Sequence, residues 1–362
     1  MKEKKKSSNK LNLIICGIAF VVMVLYIVFV DGVDNLINSI RQFNVGFLLI
    51  AALFMVAYWI LEAVGLHAAL RTIHPEQRFW KTLVVALLGQ YFNCITPSSS
   101  GGQPMQVYYF SKFGTPVSHS MTALLSKFIV YQFVLTVYSA VVLILRFGQF
   151  AAEFAPLMAL VVFGFIINTI VIVLLLMVAF TKKPVKKLAF WFIRLLGKIK
   201  ILKTQRVIDE KIEQVDKIID EYHDNFCFIK SKPWLIVRMV LYTILQLTIY
   251  FAISYVIYLG FGLSGTDLFT IISCQAFVLM ISAFMPLPGA MGAAEGSYAA
   301  FFGKIFGKFT SFSTFIWRFL TFYFPIIIGL ILSLFVGKMT GTSSDNDKLT
   351  NLDMDDIKGD EI

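Results

Sequence analysis

Apolar runs long enough to cross a lipid bilayer recur along this chain and constrain its fold more than any other feature. A transmembrane helix needs about 20 mostly apolar residues, and the 362-residue chain is 58% hydrophobic and only 15% charged. Six uninterrupted runs have that length: 11–30, 46–70, 117–146, 156–180, 233–259 and 311–337. We therefore predict an all-α, polytopic integral membrane protein with about six full spans.

The first run, LNLIICGIAFVVMVLYIVFV, follows the basic stretch MKEKKKSSNK, so a cleaved signal peptide is the alternative to a membrane span. The apolar core of a signal peptide is shorter and ends at a small-residue cleavage site. This run is long and lacks such a site, which favours a retained first span.

Two further apolar regions, 81–113 and 266–303, are interrupted in the middle by Pro and Gly. Their central stretches read TPSSSGGQP at 96–104 and MPLPGAMGAAEGS at 285–297. Because Lys and Arg are retained in cytoplasmic loops, the basic segments fall on one side only if region 81–113 enters and leaves the membrane on the same face. The same parity argument makes 266–303 a hairpin that enters from outside if the acidic C-terminal tail is cytoplasmic. We predict two re-entrant helical hairpins, one from each face, with both termini cytoplasmic. Their matching places in two halves indicate a possible inverted repeat.

This topology leaves few positive charges outside the cell. Of the 32 Lys and Arg residues, 25 lie on the cytoplasmic side. The four that lie outside are Arg41, Arg146, Lys304 and Lys308, and the remaining three, Lys127, Arg238 and Arg318, lie within predicted spans.

Five regions follow from these assignments. They are a basic N-terminus (1–10), a first membrane half (11–181), a basic segment (182–232), a second membrane half (233–338) and an acidic tail (339–362) whose composition predicts disorder. Within the basic segment, 182–203 carries eight basic residues and no acidic one, a pattern typical of a helix lying on an anionic membrane surface. The simpler alternative is a determinant of topology whose helix packs on the protein.

The two hairpin tips are candidate binding sites, because backbone that leaves a helix at membrane depth must face protein or water. The helix after each tip begins with unpaired N–H groups that carry partial positive charge and suit an anion. The predicted lipid-headgroup residues are Ser98, Ser99, Ser100, Gly101, Gly102, Gln103, Pro288, Gly289, Gly292, Glu295 and Arg318. The alternative is that Pro and Gly serve only to turn the chain.

Charged residues within predicted membrane segments are costly and are usually paired or functional. Glu62 and Lys127 fall at a similar depth in the inner half, and Glu295 and Arg318 fall in the outer half. Each couple is either a structural ion pair or a cation that neutralises a phosphate in transit while its carboxylate holds it between events.

Metal and cofactor chemistry has no support in the sequence. The four cysteines form no CxxC motif, the four histidines lack metal-ligand spacing, and neither a nucleotide-binding loop nor a nucleophile elbow is present. We expect no metal, no cofactor, no nucleic-acid partner and no catalytic residue.

The motifs TPSSSGGQP and PLPGAMGAAEG, the latter with Glu295, resemble the two signatures of the lysylphosphatidylglycerol synthase transmembrane region. This is the flippase-like domain of the multiple peptide resistance factor and of stand-alone bacterial and archaeal relatives. The resemblance covers residues 11–338, and Ser98, Ser99 and Ser100 stand where the family often has a glycine-rich stretch. It implies transfer of a phospholipid, aminoacylated phospholipid or lipid-linked sugar between leaflets of the bacterial cell membrane, and resistance to cationic antimicrobial peptides.

Three functions remain open. A lipid flippase comes first. A phosphatidylglycerol lysyltransferase or other headgroup transferase comes second, but the 24 residues after Lys338 are too few for the soluble transferase domain, so we expect such an enzyme to need a partner synthase. A non-transporting membrane scaffold comes third, and homo-oligomerisation is possible in each case.

Overall fold

The computed structural model describes residues 32–198, 205–283 and 285–340, together with helical positions at Gly17, Val21 and Leu25. Apart from those three positions, the predicted first span at 11–30 lies outside the described residues. The N-terminus at 1–10 and residues 341–362 of the predicted tail also lie outside them. Within the described ranges the chain is built of helices joined by turns.

Twelve α-helices are numbered here in chain order. They are α1 Val33–Gln42, α2 Val45–Ile73, α3 Phe79–Ile95, α4 Gly102–Lys112, α5 Val117–Phe180, α6 Lys182–Lys198, α7 Gln205–Lys230, α8 Pro233–Gly260, α9 Leu268–Ser282, α10 Ala293–Phe306, α11 Thr310–Arg318 and α12 Phe324–Thr340. A 3-10 turn, Gly307–Phe309, joins α10 to α11, and a π-helical turn, Phe319–Tyr323, joins α11 to α12.

Five stretches of the described residues are long and apolar enough to cross a membrane, and the chain is a multi-pass membrane protein. They are Val45–Ile73, Val117–Arg146, Leu157–Met177, Pro233–Gly260 and Ala293–Val336. The first four coincide with the predicted spans 46–70, 117–146, 156–180 and 233–259. The predicted span 311–337 lies inside the fifth stretch and corresponds to α11, the π-helical turn and most of α12.

Helix α5 is continuous for 64 residues yet folds back on itself. The Gln132 Nε2 atom donates a hydrogen bond to Asn168 Oδ1 at 3.3 Å, whereas a straight helix would separate these residues by about 54 Å. Its two limbs, Val117–Arg146 and Leu157–Met177, therefore run antiparallel. The sequence predicted two spans here, but not that the chain between them remains helical.

The first broken apolar region forms a helical hairpin of α3 and α4. At its base, the Lys81 ammonium donates to the Phe113 carbonyl at 3.0 Å, and further along, Gly89 lies against the side chain of Gln106. Both ends of the region thus return to one place, with residues 96–101 at the tip.

The second broken region forms a comparable hairpin of α9 and α10. The rings of Phe277 and Phe301, one on each limb, lie 5.7 Å apart. After the 3-10 turn the chain reverses again, because Tyr298 of α10 stacks on Trp317 of α11 at 4.6 Å. Helix α11 therefore runs back along α10 toward the hairpin tip.

The two hairpins enter the bundle from opposite ends, as the position of each hairpin base along α2 shows. His67, near the end of α2, contacts Phe79 at the base of the first hairpin. Phe43, just before α2, contacts Phe261 at 4.9 Å, and Phe261 contacts Phe306 at the base of the second hairpin. Positions 43 and 67 are about 36 Å apart along a helix, so the bases lie far apart.

The hairpin tips nevertheless meet. Pro97 of the first tip and Pro288 of the second form an isolated antiparallel backbone bridge. The sequence predicted two hairpins from opposite faces. Their depth in a bilayer stays a prediction, because the contacts fix only how the hairpins lie relative to each other.

Candidate functional site

A cavity of about 760 Å³ lies where the two tips meet. The predicted residues that line it are Ser98, Ser99, Ser100 and Gln103 from the first tip, Gly289 from the second tip, Arg318, and the pair Glu62 and Lys127. The structure therefore brings residues from both halves of the chain to one polar space. The remaining predicted residues, Gly101, Gly102, Pro288, Gly292 and Glu295, belong to the same two tips and support those that line the cavity.

Arg318, the last residue of α11, is held in position on three sides. Its Nε donates to Glu295 Oε1 at 2.5 Å and its Nη2 donates to the Gly289 carbonyl at 2.5 Å. The guanidinium also lies 4.5 Å from the ring centre of Phe322, within cation–π range. A guanidinium has five N–H donors, and the described residues engage two of them. A buried cation with donors to spare, at a cavity wall, can bind an anionic oxygen group.

Gly289 and Gly292 are glycines for conformational reasons. Gly289 has a φ of +55° and Gly292 a φ of +84°, values in the left-handed region that favours glycine. At Gly289 a Cβ atom would also collide with the ring of Phe322. The close approach presents the Gly289 carbonyl to Arg318.

Glu295 connects the second tip to Arg318. Its Oε2 accepts from the Gly292 N–H at 2.7 Å, which is half of a capping box at the start of α10. Its Oε1 accepts from Arg318. The carboxylate therefore already occupies both a helix N-terminal N–H group and a guanidinium, which are the two kinds of donor that bind phosphate in proteins.

The first tip has internal partners of its own. The Gly101 N–H donates to Thr96 Oγ1 at 2.9 Å, and the Gly102 N–H donates to Asn93 Oδ1 at 3.0 Å. A Cβ atom on either glycine would collide with the side chain that accepts its N–H. Tight packing of α4 on the end of α3 thus gives these glycines a structural reason. In this conformation their N–H groups are engaged within the protein, and a headgroup contact at Gly101 and Gly102 stays a prediction.

The three serines of the first tip are exposed. Ser98 and Ser99 have φ values of +50° and +52°, a left-handed conformation that is uncommon for residues other than glycine. Ser98, Ser99 and Ser100 are exposed, and all three line the cavity. This strained turn places three hydroxyl groups at the mouth of the polar space.

Glu62 and Lys127 form a second ion pair on the cavity wall. The Lys127 ammonium contacts Glu62 Oε2, and Gln246 Nε2 donates to the same oxygen at 2.6 Å. The ammonium also lies 5.2 Å from the ring centre of Tyr131. Helices α2, α5 and α8 supply these groups, so the pair ties the centre of the bundle together.

Sequence reasoning missed the amide and phenol groups that complete the lining. Gln132, Asn168 and Gln275 are buried and line the cavity together with Tyr58, Tyr131 and Tyr250. The available signal was a Gln or Asn isolated within an apolar run, because polar side chains in membrane segments face the bundle interior.

The protein is thus a multi-pass α-helical membrane protein with a polar cavity lined in part by two hairpin tips. Residues 14–329 match the family described as "Lysylphosphatidylglycerol synthase TM region", and the chain belongs to that family.

Two relatives match most of the chain. A UPF0104 membrane protein of Archaeoglobus fulgidus is 23% identical over 306 residues, which cover 81% of this chain and 88% of the relative. A UPF0104 membrane protein of Pyrococcus horikoshii is 23% identical over 341 residues, which cover 93% of this chain and all of the relative.

Proposed function

We propose that the protein moves a phosphate-bearing lipid between the two leaflets of the membrane, and that Arg318 binds the phosphate during transfer. The observation that carries this proposal is the position of Arg318, which is buried on the wall of the central cavity, beside the junction of the two tips. A guanidinium suits phosphate because it is always charged and presents its donors in a planar fork.

The ion pairs at the cavity support reversible binding of a phosphate, as transport requires, rather than permanent binding. Glu62 with Lys127, and Glu295 with Arg318, form two ion pairs, so these four residues are neutral overall in the empty site. A phosphate that enters takes over a cation from its carboxylate, and the carboxylate takes the cation back when the phosphate leaves. Neither state leaves a buried cation unpaired, which would be costly.

The arrangement of the two halves supports alternating access to the cavity. In each half, one helix precedes a hairpin and another helical segment follows it. In the first half these elements are α2, the α3–α4 hairpin and the first limb of α5. In the second half they are α8, the α9–α10 hairpin and α11–α12. Transporters built from inverted repeats bind substrate at broken helices near the bilayer midplane. In this proposal the hairpin tips separate from one side at a time and the acyl chains stay in lipid.

The proposal extends to the cellular setting that the family resemblance implies. The protein lies in the bacterial cell membrane with both termini cytoplasmic. By redistributing a phospholipid, an aminoacylated phospholipid or a lipid-linked sugar, it contributes to resistance against cationic antimicrobial peptides.

The test is transbilayer movement of fluorescent phospholipids in proteoliposomes, read as the fraction of label that a membrane-impermeant reductant can bleach. We expect the wild type to expose label from the inner leaflet, Arg318→Ala to abolish this, and Arg318→Lys to keep part of it. Arg238→Ala is the matched control, because Arg238 is exposed and lies over Trp234 rather than in the cavity.

Two results would contradict the proposal. One is that wild-type protein moves no phosphate-bearing lipid above the protein-free rate. The other is equal movement by Arg318→Ala and wild type at equal amounts of folded protein. Transfer of labelled lysine from lysyl-tRNA to phosphatidylglycerol by the purified chain would instead favour a lysyltransferase.

A further inference from the structure

Helix α6 occupies the outer edge of the described bundle, directly after a membrane span. The second limb of α5, Leu157–Met177, is apolar enough to cross a membrane, and α6 begins five residues after it at Lys182. Helix α6 is therefore held close to the membrane boundary by the chain itself.

One face of α6 is fixed to α7. The Lys182 ammonium lies 3.1 Å from Asp224, and the Lys186 ammonium lies 2.7 Å from Asp216. Ile193, on the same face, is buried. Helix α7 in turn packs on the bundle, because its buried Tyr222 and Phe226 contact the first limb of α5. The orientation of α6 about its axis is thus set by contacts within the protein.

The opposite face of α6 presents large apolar side chains. Leu188 is 67% exposed, Trp191 59% and Phe192 54%. At 100° per residue, these three positions fall within one stripe of the helix. A contiguous apolar patch of this kind on a protein surface marks contact with a membrane or a partner.

A basic stripe runs beside the apolar one. Lys183, Lys187 and Arg194 are exposed and lie within about 40° of one another on the helix. Within the part of the chain that the structure describes, none of the three forms an ion pair. The acidic residues of α7 that face α6 are already engaged by Lys182 and Lys186, so they do not neutralise this stripe.

We propose that α6 is an interfacial helix that binds anionic phospholipid at the membrane surface. Leu188, Trp191 and Phe192 insert among the acyl chains near the headgroups, and Lys183, Lys187 and Arg194 contact headgroup phosphates. Apolar residues beside basic ones, with Trp at the boundary, are the pattern of a helix lying in an anionic interface. This surface is separate from the central cavity and does not depend on lipid transfer there.

The depth of Trp191 tests the apolar half of the proposal. The full chain is reconstituted into phosphatidylcholine vesicles containing phosphatidylglycerol, and the emission of Trp191 is obtained as the difference between wild type and Trp191→Phe. We expect phosphatidylcholine brominated on its acyl chains to quench this emission and aqueous iodide to leave it unchanged. Quenching by iodide but not by the brominated lipid would overturn the proposal.

Lipid preference tests the basic half. Energy transfer from Trp191 to dansyl-phosphatidylglycerol is compared with transfer to dansyl-phosphatidylcholine at low ionic strength. We expect wild type to favour phosphatidylglycerol, and the preference to fall by up to about fivefold for each of Lys183→Gln, Lys187→Gln and Arg194→Gln. Equal transfer to both lipids in the wild type would overturn anionic-lipid binding.

The matched control removes the same charge elsewhere. The triple variant Arg41→Gln, Lys304→Gln and Lys308→Gln removes cations that the predicted topology places outside the cell, on the other side of the membrane from α6. It should leave the preference for phosphatidylglycerol unchanged. The corresponding α6 triple variant combines Lys183→Gln, Lys187→Gln and Arg194→Gln. If the control lowers the preference as much as this α6 triple variant does, net charge rather than the α6 surface is responsible, and the proposal fails. Melting temperatures of both triple variants show whether either change acts through folding.

Discussion

The ion pair between Glu295 and Arg318 makes an asymmetric prediction about stability. The Arg318 side chain is 6% exposed, whereas that of Glu295 is 25% exposed. Glu295→Gln leaves a buried guanidinium without its counter-charge and should destabilise the protein by about 3 kcal/mol or more. Arg318→Gln leaves a carboxylate that reaches water and still accepts from the Gly292 N–H, so its cost should be about 1–2 kcal/mol.

The double variant decides whether the pair acts as a unit. Glu295→Gln with Arg318→Gln leaves no uncompensated charge, so we expect it to be more stable than either single variant. That order corresponds to a coupling free energy at or above about 3 kcal/mol, the upper end of measured values. The free energy of unfolding is measured in one detergent for the wild type, the two single variants and the double variant. The same cycle with Glu213→Gln and Lys217→Gln is the control, because these two side chains are 69% and 70% exposed. Additive losses in the Glu295 and Arg318 cycle would refute the argument that the carboxylate holds the guanidinium.

Three further predictions concern other parts of the molecule. Gly289→Ala should sharply reduce the melting temperature and the yield of folded protein, because its Cβ would collide with Phe322 at a left-handed φ. In a cysteine-free background, Lys308→Cys should react with an impermeant thiol reagent added outside cells and Ser111→Cys should not; the reverse pattern would contradict the predicted topology. Hydrogen bonds from the Lys186 ammonium, and to a lesser extent from the Lys182 ammonium, lower the pKa of Asp220 below its ordinary value of 3.8. The contribution of Asp220 to the contact between α6 and α7 should therefore be present above pH 3.8 and be lost as the pH falls through the lowered pKa. Spin-label distances between α6 and α7 should broaden over that acidic range and stay unchanged at neutral pH.

The sequence predicted the hairpins because their cause is local. Clustered Pro and Gly disfavour helical backbone through local effects, so the stretches at 96–104 and 285–297 could be identified without a structure. That Pro97 meets Pro288 could not, because the contact depends on how two hairpins distant in sequence pack around α2 and α8. Hydropathy likewise separated the two limbs of α5 but could not show that helical backbone continues between them.

The tip glycines show why one motif can have more than one physical reason. Sequence reasoning attributed Gly101 and Gly102 to the approach of a phosphate, since glycine often serves that purpose. The structure supplies another reason, because Thr96 and Asn93 fill the space that a side chain would need. Both explanations leave glycine at these positions, and the packing explanation depends on the positions of Asn93 and Thr96, which the sequence alone does not give.

In this conformation both hairpin tips use their helix N-termini for internal hydrogen bonds. Thr96 and Asn93 accept from the first tip, and Glu295 accepts from the second as well as from Arg318. The two acceptor sets differ in charge: the first is neutral, whereas the second is a carboxylate that occupies donors a phosphate would use. Under the proposed function, Glu295 is therefore an internal competitor of the lipid phosphate.

This competition predicts opposite effects of one substitution. Glu295→Gln should lower stability, because Arg318 loses its counter-charge, and should also raise affinity for a phosphate-bearing lipid, because a neutral amide competes less well for the same donors. The measurement is binding of a short-chain phosphatidylglycerol to detergent-solubilised protein, read by the ligand-dependent rise in melting temperature. Asn93→Ala is the control, because it removes a neutral acceptor from the other tip and should lower stability without raising affinity. If Glu295→Gln loses stability and affinity together, Glu295 supports the site and does not compete for it.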